Sequence, residues 1–585
     1  MNSNNKYRNK YCGEITIEDA GKTVRIGGWI NSIRNLGSLV FLTVRDESGI
    51  VQVISEESEK LSDLTRESTV TITGTVQKRS GNVNPNMKTG EIEIILDTIE
   101  VLGKCENVLP FEINRSKEAN EETRLKYRYL DLRNKEVHDK IVFRSKVVDF
   151  IRKTMKEMDF TEITTPIITG SSPEGARDFV IPSRNYHGKF YALPQSPQLF
   201  KQLLMIGGME RYFQIAKCFR DEDLRADRQP EFTQIDMEMS FIEEEDIENI
   251  VEGLMKKVFK DIKGIDIKTP FLRMKYSEAM ERFGSDKPDM RFGMELNNVT
   301  ELFKMSEFKV FSNAISDGGI ISCIKVENEA SNFSRKKIDE LTEFVKQYKA
   351  KGLAFIKMEN DEFTGGISKF LTDAEKEALK EKLSLNNNDL VFFASDKKEI
   401  VYASLGALRV LLGKELGLIN EDDYKFLWVV DFPVFEWSDE ENRFVSCHHP
   451  FTMPKDEDVD KLLTDKANCH AKAYDIVLNG YEVGGGSIRI HKEDVQEKMF
   501  EALGFSKEEA YDKFGFLIEA FKYGTPPHGG LAIGLERLVM ILTGTSNIRD
   551  VIAFPKTTSA SDLMTDCPNY VDEKQLNELY IDIKE

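Results

Sequence analysis

The sequence predicts a multidomain α+β protein, and three observations lead to this fold class. The chain has 585 residues, which is too long for one hydrophobic core and corresponds to about four domains. Residues 1–110 contain short runs in which apolar and polar residues alternate, as they do in strands. From residue 124 onwards, apolar residues at helical spacing are interspersed with strand-like runs, which indicates mixed α and β structure.

The N-terminal segment, residues 1–110, predicts a small five-stranded barrel. Turn signals such as Leu36-Gly37-Ser38 separate its strand-like runs. Five short strands in about a hundred residues are typical of a barrel of the oligonucleotide-binding type, and a fragment of a β-sandwich is the alternative. The runs are residues 24–30, 39–44, 50–54, 70–76 and 91–96.

The composition limits the class of protein. Hydrophobic residues make up 40% of the chain and charged residues 31%, which is ordinary for a water-soluble protein. No apolar run approaches the length of a membrane span, and the first ten residues are polar, unlike a signal peptide. The seven cysteines are scattered, which argues against a zinc site or a disulfide framework and suits a reducing compartment. The sequence therefore predicts a cytoplasmic protein with no membrane anchor and no zinc.

The net charge of −20 argues against binding of nucleic acid by the surface as a whole. Residues 111–136, a predicted linker, depart from this trend because they are locally basic. Such a segment either faces phosphates or forms a solvated helix with ion pairs four residues apart, and the sequence leaves both open. Its basic residues are Arg115, Lys117, Arg124, Lys126, Arg128, Arg133 and Lys135.

A highly charged segment joins two strand-like runs in the middle of the chain. Residues 212–216 and 232–241 both alternate, so the segment between them predicts the loop of a β-hairpin. Its arginines, Arg220, Arg225 and Arg228, suit the oxygens of a phosphorylated ligand. The alternative is a hairpin tip held by salt bridges in solvent.

Residues 219–234 of this hairpin resemble motif 2 of the class II aminoacyl-tRNA synthetases, in the version of the bacterial aspartyl-tRNA synthetases. A predicted helix over 140–158, followed by a strand that ends at Pro166, resembles motif 1, the dimerisation element. An ordinary helix–strand unit is the alternative for that segment taken alone. The glycine-rich run 529–542 resembles motif 3. The three motifs occur in the order of the family, and the resemblance covers almost the whole chain.

The resemblance also implies an order of domains. A catalytic domain, built on an antiparallel sheet with helices, would be split by an α/β insertion domain and preceded by an anticodon-binding barrel. The expected bounds are 1–110 for the barrel, 111–136 for the linker, 137–288 and 426–558 for the catalytic domain, 289–425 for the insertion domain and 559–585 for a C-terminal extension.

The implied chemistry is the activation of an amino acid by ATP, which depends on positioning the substrates and on neutralising charge at the α-phosphate. By the resemblance, Phe232 and Arg537 would enclose the adenine ring. Arg220 would bridge the α-phosphate and the amino-acid carboxylate, and Arg220, Glu222 and Arg537 would form the catalytic set. Further ATP contacts are expected from Asp221, Gln229, Glu482, Gly534, Leu535 and Glu536.

A run of three glycines, Gly484 to Gly486, lies inside a predicted strand, which favours a ligand or the close approach of another backbone over a plain strand. The resemblance implies that Arg489 pairs with the side-chain carboxylate of aspartate and that Lys201 adds a second positive charge. Two cations with no compensating acid nearby would reject a neutral amide. The other implied aspartate contacts are Glu174, Gln198, Arg220 and His448, and the implied Mg²⁺ ligands, acting with ATP, are Asp475 and Glu482.

In the barrel, the resemblance implies that Phe41 stacks on an anticodon base, although the pattern alone suits a core position equally well. Arg34, Gln52 and Glu93 would read base edges. Leu36 resembles members that charge only the aspartate tRNA, whereas Gly81 resembles members that also charge the asparagine tRNA. The two signals oppose each other, and Leu36 is given the greater weight.

The function implied is that of an aspartate–tRNA ligase, a cytoplasmic homodimer that acts on L-aspartate, ATP and tRNA(Asp). Charging of tRNA(Asn) as well is the first alternative. An asparaginyl or lysyl enzyme is a second, which Arg489 and Lys201 argue against, because an asparagine site needs neutral groups and a lysine site needs acids. A non-catalytic tRNA-binding paralogue is the third, which the intact motif residues argue against.

Overall fold

The structure is a computed structural model that describes residues 4–171, 176–222, 224, 226–439 and 441–584. The chain divides into two compact units, Met1–Thr123 and Arg124–Glu585. Within the described residues, no helix has the length and apolar character needed to cross a membrane.

The first unit contains a closed five-stranded barrel with the strand order β1-β2-β3-β5-β4. Its strands are β1 (Thr23–Leu36), β2 (Leu39–Asp46), β3 (Gly49–Ser55), β4 (Thr69–Lys78) and β5 (Ile92–Gly103). Alternating side chains such as Ile26, Leu42 and Ile72 are fully buried and form its core. The predicted barrel is confirmed, and the β-sandwich alternative is wrong.

The second unit alternates strands and helices. Its strands are β6 (Thr161–Glu162), β7 (Val180–Pro182), β8 (Phe190–Ala192), β9 (Arg211–Phe219), β10 (Glu231–Ser240), β11 (Leu272–Lys275), β12 (Leu296–Asn298), β13 (Ile320–Val326), β14 (Ala354–Glu359), β15 (Glu362–Thr364), β16 (Leu390–Asp396), β17 (Phe426–Val430), β18 (Phe435–Ser438), β19 (Arg443–Ser446), β20 (Ala473–Leu478), β21 (Tyr481–Ile488) and β22 (His528–Gly534).

The helices lie in this unit, apart from the first, which begins before its boundary. They are α1 (Glu121–Lys126), α2 (Arg128–Asp131), α3 (Lys135–Glu157), α4 (Gln198–Ile206), α5 (Glu244–Val258), α6 (Tyr276–Phe283), α7 (Lys309–Ser316), α8 (Arg335–Lys346), α9 (Asp373–Leu383), α10 (Lys398–Glu415), α11 (Glu493–Ala502), α12 (Lys507–Phe521), α13 (Leu535–Thr543) and α14 (Glu573–Leu579).

The main sheet of the second unit has eight strands in the order β11-β17-β20-β21-β22-β10-β9-β6. Its central pairs are antiparallel, and only the outer pairs β11–β17 and β6–β9 are parallel. Apolar side chains from α3, α5 and α13 pack with those of the sheet into one large core. The predicted antiparallel sheet with helices is therefore confirmed. Since strands distant in sequence are neighbours in it, the sheet gathers residues from the whole unit.

The helix–strand segment near residue 150 differs in detail from its prediction. Helix α3 begins at Lys135, five residues before the predicted start, because Asn134 caps it by accepting the backbone N–H of Glu136. The strand after it is only Thr161–Glu162. Thr165 donates its backbone N–H to Oε1 of Gln214 at 3.0 Å instead of extending the ladder.

Residues 289–425 contain a second sheet, in the order β12-β13-β16-β14-β15. Helices α8 and α10 cover one face and α7 and α9 the other, each over its own apolar cluster. Phe392 belongs to one cluster and Phe393 to the other, so β16 is apolar on both faces, as expected for a central strand.

Candidate active site

A cavity of about 450 Å³ opens above the main sheet. The hairpin β9–β10, the strands β20 to β22 and the starts of α4 and α13 contribute its walls. Sequence-distant residues thereby meet at one place. The predicted residues that line it are Gln198, Lys201, Arg220, Glu222, Gln229, Phe232, His448, Asp475, Glu482, Arg489, Gly534, Glu536 and Arg537.

Three predicted residues stand apart from this set. Leu535 is completely buried in the core, so only its backbone is available to a ligand. Asp221 is half exposed and accepts the Arg177 Nε–H through its backbone carbonyl at 3.1 Å. Glu174 lies outside the described residues, as does Arg225 of the charged loop.

The charged segment is the loop of a hairpin, as predicted, because β9 and β10 pair antiparallel with Phe232 opposite Cys218. The Arg220 guanidinium lies over the Phe232 ring, 5.1 Å from its centroid. Arg228 forms an ion pair with Glu222 at 3.3 Å. The loop therefore combines both interpretations: it contains a salt bridge, and Arg220 and Arg228 both reach the cavity.

Arg537, in the first turn of α13, ties this loop to β21. It donates to the backbone carbonyl of Glu482 at 2.5 Å and to Asp227 at 3.2 Å. Its Nε is buried and makes no hydrogen bond within the described residues. The sequence did not single out Asp227, which holds the arginine beside the cavity.

Glu536 and Gln229 are occupied by protein groups. The Glu536 carboxylate accepts the Thr233 backbone N–H and an Arg144 N–H, each at 2.8 Å. The Gln229 amide exchanges two hydrogen bonds with the backbone of Lys556, at 2.8 and 3.1 Å. These side chains, which the resemblance assigns to ATP, therefore also join α3, β10, α13 and the segment at residue 556 beside the cavity.

A buried charge cluster forms the inner end of the cavity. Arg489 donates to both carboxylate oxygens of Glu238, at 2.9 and 3.1 Å. Lys201 contacts Asp236 at 2.6 Å and Glu238 at 3.2 Å. All four side chains are at most 3% exposed. The prediction that these cations have no compensating acid nearby is wrong, because alternation in β10 places both acids on the face beneath them.

The pKa values of the two acids in this cluster are shifted in opposite directions. Burial raises the pKa of Glu238, but Arg489 and Lys201 outweigh it and hold the pKa below its ordinary value. Burial dominates at Asp236 and raises its pKa despite Lys201. Asp236 Oδ2 makes no hydrogen bond within the described part of the chain. A buried acceptor without a donor favours a ligand that brings one.

Two adjacent histidines flank the cluster. Arg489 Nη1 donates to His449 Nε2 at 2.8 Å, and burial together with the charge of Arg489 holds the pKa of His449 well below its ordinary value. His448 behaves in the opposite way. Burial lowers its pKa, but Asp475, 3.8 Å away, and Cys447 together outweigh burial and raise the pKa to about 10.

Asp475 of β20 and Glu482 of β21 converge above Gly485. A Cβ atom there would stand 2.4 Å from Asp475 Oδ1 and 3.7 Å from Glu482 Oε1. Burial and the charge of Glu482 raise the pKa of Asp475 to about 6. In the described ranges, no group of three or more His, Cys, Asp or Glu residues could hold a metal ion. Two carboxylates suit Mg²⁺, which completes its coordination with phosphate and water oxygens.

The two glycines beside Gly485 are required for a different reason. A Cβ at Gly484 would stand 2.7 Å from the Ala532 carbonyl oxygen, and one at Gly486 would stand 2.0 Å from that of Gly530. Close approach of another backbone, one of the two predicted reasons for the glycine run, is therefore confirmed at Gly484 and Gly486, whereas Gly485 leaves space for the two carboxylates.

Known protein families match both units. Residues 120–558 match the family described as tRNA synthetases class II (D, K and N). The chain belongs to this family. Residues 24–102 match the OB-fold nucleic acid binding domain, which agrees with the observed barrel.

Relatives of this synthetase extend over its whole length. The aspartate–tRNA(Asp/Asn) ligase of Anoxybacillus flavithermus is 52% identical over 585 residues, 99% of each chain. The aspartate–tRNA ligase of Agathobacter rectalis is 53% identical over 583 residues, 98% of this chain and 97% of that one. The solved asparaginyl-tRNA synthetase of Pyrococcus horikoshii with asparaginyl-adenylate has a TM-score of 0.58 at 19% identity and covers 94% of this chain and 98% of that one. That last similarity shows a common fold.

The barrel of the synthetase places the predicted anticodon residues in two settings. Phe41 is half-buried and alternates with the buried Val40 and Leu42, so it does not belong to the barrel core. Gln52 and Glu93 are buried and bonded to each other at 2.9 Å. Arg34, Leu36 and Gly81 are exposed.

A polar network surrounds the Gln52–Glu93 pair. Arg79 donates to Gln52 at 2.8 Å, and Gln77 donates to Glu93 at 2.9 Å. If Gln52 or Glu93 binds the edge of a base, the base must therefore join or replace these hydrogen bonds. The sequence did not single out Gln77 or Arg79.

Proposed function

We propose that this synthetase is an aspartate–tRNA ligase. The observation that carries the proposal is the pair of cations, Arg489 and Lys201, buried at the inner end of a cavity whose outer wall holds Arg220, Phe232 and Arg537. Such a cavity suits a small acid beside a nucleotide. Relatives that are 52–53% identical over nearly the whole chain carry the name aspartate–tRNA ligase or aspartate–tRNA(Asp/Asn) ligase.

In the proposed complex, the side-chain carboxylate of aspartate binds N–H groups of Arg489 and Lys201. The α-ammonium group donates to the buried Asp236 carboxylate, which keeps an acceptor oxygen beside its contact with Lys201. Gln198, whose Nε2 is buried and without a hydrogen bond in the described ranges, donates to the bound amino acid. Each ligand group thus meets a protein group of opposite hydrogen-bonding character.

The proposed selection against asparagine rests on hydrogen-bond character, because the charges of Lys201, Arg489, Asp236 and Glu238 sum to zero. Lysine and arginine are donors only. A carboxylate offers acceptors to both, whereas the NH₂ group of an amide would place a donor against a donor. Mismatches of this kind discriminate strongly in buried sites.

Activation then forms one bond and breaks one. An oxygen of the aspartate α-carboxylate attacks the α-phosphorus of ATP, the new P–O bond forms, and the bond to pyrophosphate breaks. Arg220, positioned by Phe232, neutralises the charge that develops at the α-phosphate. Asp475 and Glu482 would hold Mg²⁺, which when bound supplies positive charge to the phosphate oxygens.

In the second proposed step, the 3′-terminal ribose hydroxyl of the tRNA attacks the activated carbonyl carbon. The ester bond to tRNA forms, the bond to AMP breaks, and the proton of the hydroxyl leaves with the AMP phosphate. Arg537, with Phe232 on the other face, holds the adenine ring. His448 next to Asp475 adds a positive charge at the cavity wall, in keeping with its raised pKa.

We further propose a homodimer that is cytoplasmic. Exposed apolar side chains after α3, such as Ile167 (46% exposed) and Ile168 (58%), support a second copy at this surface. All seven cysteines are free thiols, which suits a reducing compartment.

The experiment that tests the function is charging of purified tRNA with labelled aspartate. We expect ester formation on tRNA(Asp) in the presence of ATP and Mg²⁺. The exposed residues Leu36 and Gly81 are the positions at which we place the choice between tRNA(Asp) alone and tRNA(Asp) with tRNA(Asn), since relatives carry both names. Parallel charging of tRNA(Asn) decides between them. No charging of either tRNA would contradict the proposal.

A further inference from the structure

The insertion domain, residues 289–425, is joined to the turn between β20 and β21. On the entry side, Asp289 is 4% exposed and packs against Gly480 of this turn, where a Cβ atom would stand 3.2 Å from the Asp289 Cβ. Gly480 has a φ of +84°, so both conformation and space require glycine there. Arg291 fixes the Asp289 carboxylate with bonds of 2.8 and 3.0 Å.

The segment by which the chain leaves the insertion domain forms hydrogen bonds with Asn479, the other residue of the same turn. Asn479 donates its side-chain amide to the carbonyl of Asp423 at 2.7 Å. It also accepts the backbone N–H of Lys425 at 2.9 Å. Arg291 joins the two sides, because its Nη1 contacts Glu421 at 2.8 Å. Both connections of the insertion domain therefore hold one two-residue turn.

The body of the insertion domain is fixed to the entry segment by Arg409 of α10. Its guanidinium is 1% exposed and donates to the carbonyls of Asp289 at 3.0 Å and Phe292 at 2.7 Å. It also lies 4.0 Å from the Phe292 ring centroid. A buried arginine with this many backbone acceptors transmits displacements of the helix to the entry segment rather than absorbing them.

The turn held in this way belongs to the hairpin that carries Asp475 and Glu482. Asp475 lies four residues before Asn479, and Glu482 two residues after Gly480. At about 3.3 Å per residue, both carboxylates lie within roughly 15 Å of the turn along the paired strands, whose register shifts once, between Ile476 and Val477.

We propose that the insertion domain positions the metal-binding carboxylates, and that Asn479 is the positioning residue at its junction with the hairpin. This inference rests on the proposed function, because it takes Asp475 and Glu482 as the groups that hold Mg²⁺ with ATP. It assigns a role in substrate binding to a domain that lies outside the cavity.

Asn479→Gly tests the proposal because it removes both side-chain bonds and keeps the turn. The φ of Asn479 is +53°, which glycine adopts freely. The measurement is the dissociation constant of ATP by titration calorimetry, once with Mg²⁺ and once with EDTA. In Mg²⁺ we expect a loss of affinity of roughly 5- to 20-fold, within the size by which distant residues modulate a binding site. For ATP in EDTA, and for aspartate, we expect dissociation constants within twofold of those of the wild type.

Asn388→Gly is the matched control. Asn388 also has a left-handed φ of +68°, and its side chain also bonds a neighbouring segment, at Ser331 and Asn328. It lies inside the insertion domain, away from the hairpin turn. We expect its ATP affinities in Mg²⁺ and in EDTA to match those of the wild type.

A second pair of variants approaches the junction from α10. Arg409→Leu should reduce the gain in ATP affinity that Mg²⁺ provides, and Arg409→Lys, which keeps the charge, should restore part of it.

The inference is overturned if Asn479→Gly keeps the full Mg²⁺-dependent gain, or if it loses affinity equally in Mg²⁺ and EDTA. A wild-type protein that gains no ATP affinity from Mg²⁺ would instead contradict the proposed metal site.

Discussion

At the scale of single residues, the four buried charges below the cavity are the groups that we propose recognise the amino acid. Asp236 and Glu238 are neighbours on one face of β10 and neutralise Lys201 and Arg489. Buried ion pairs are costly unless every partner is satisfied. Glu238 is occupied by Arg489 and Lys201, whereas Asp236 Oδ2 makes no hydrogen bond by geometry in the described structure, and this oxygen is the one we assign to the substrate ammonium.

The sequence contained a signal for these acids. Residues 234–239 read Gln-Ile-Asp-Met-Glu-Met, and alternation in a central strand puts both acids on the same buried face. The cations were predicted from the family resemblance, but their partners were not, because sequence spacing alone does not tell which strand will lie beneath Arg489.

The glycine run gives a prediction at this scale. Gly485→Ala should displace the Asp475 carboxylate, whose Oδ1 lies 2.4 Å from the added methyl position. We expect kcat/KM for ATP to fall about 100-fold, equivalent to about 2.7 kcal/mol, while the melting temperature changes little, because a side chain can rotate away.

Gly486→Ala is the matched comparison for this prediction. Its added methyl would stand 2.0 Å from the backbone oxygen of Gly530, which cannot move without distorting β22. We expect the free energy of unfolding to fall by about 2–3 kcal/mol, read as a lower melting temperature. Equal effects of both substitutions on melting temperature would show that Gly485 is only a packing position.

At the scale of elements, Glu536 joins three parts of the catalytic unit. Its carboxylate, 3% exposed, accepts from Thr233 on β10 and from Arg144 on α3, while Glu536 itself belongs to α13. Residue 536 was predicted to contact ATP because the family motif marks it. The structure adds a second role for its side chain, which joins these elements while Glu536 also lines the cavity; a carboxylate that accepts two hydrogen bonds keeps acceptor sites for a ligand.

Glu536→Ala tests this assignment. The substitution leaves the Thr233 N–H and the Arg144 guanidinium without their acceptor, so the free energy of unfolding should fall by about 3 kcal/mol. Chemical denaturation measures this loss, and KM for ATP should rise as a secondary effect. A variant with unchanged stability and a selectively raised KM for ATP would favour direct contact with ATP, as the sequence predicted.

Element boundaries show where sequence patterns fail. The barrel strands and the β9–β10 hairpin were predictable because alternation and turn signals coincide there. The start of α3 was missed, because its first turn is polar and is fixed by the Asn134 cap rather than by apolar spacing. The strand before Pro166 was overestimated, because the Gln214 side chain replaces a strand partner.

At the scale of the whole molecule, the first unit is stabilised by a buried carboxylate of its own. In the first unit, Asp19 forms ion pairs with Lys10 and Lys22 and accepts the Thr16 backbone N–H at 3.0 Å. Burial opposes the charged form of Asp19, but the hydrogen bonds from Lys10 and Thr16 outweigh it and lower the pKa to about 2.

This shift predicts a pH dependence for the barrel. A carboxyl whose pKa is lowered by folding stabilises the folded state above its unfolded value, near 4, and loses this effect as the pH falls toward about 2. Asp19→Asn should therefore destabilise the barrel by about 2 kcal/mol at pH 7, and the difference from the wild type should shrink below about pH 4.

Pulse-labelling hydrogen exchange of barrel peptides, in a urea series at pH 7, 4 and 3, measures this difference. Peptides of the second unit serve as the internal control and should respond equally in both proteins. A difference that is independent of pH would contradict the ionic origin of the stabilisation.

The architecture of the second unit also explains which residues of the site can be predicted from the sequence. Motif residues such as Arg220 and Arg537 were predicted from the resemblance to the family, and both line the cavity. The contacts of the insertion domain with Asn479 and Gly480 were not, because they join segments more than fifty residues apart through a turn that has no motif of its own.

The most direct test of the account is ATP–pyrophosphate exchange with each of the amino acids in turn. We expect exchange with aspartate and none above background with asparagine or lysine. Arg489→Leu, as the control, should abolish the aspartate-dependent exchange while ATP still binds. Exchange driven by asparagine, or undiminished exchange in Arg489→Leu, would contradict the assignment of Arg489 and Lys201 to the aspartate carboxylate.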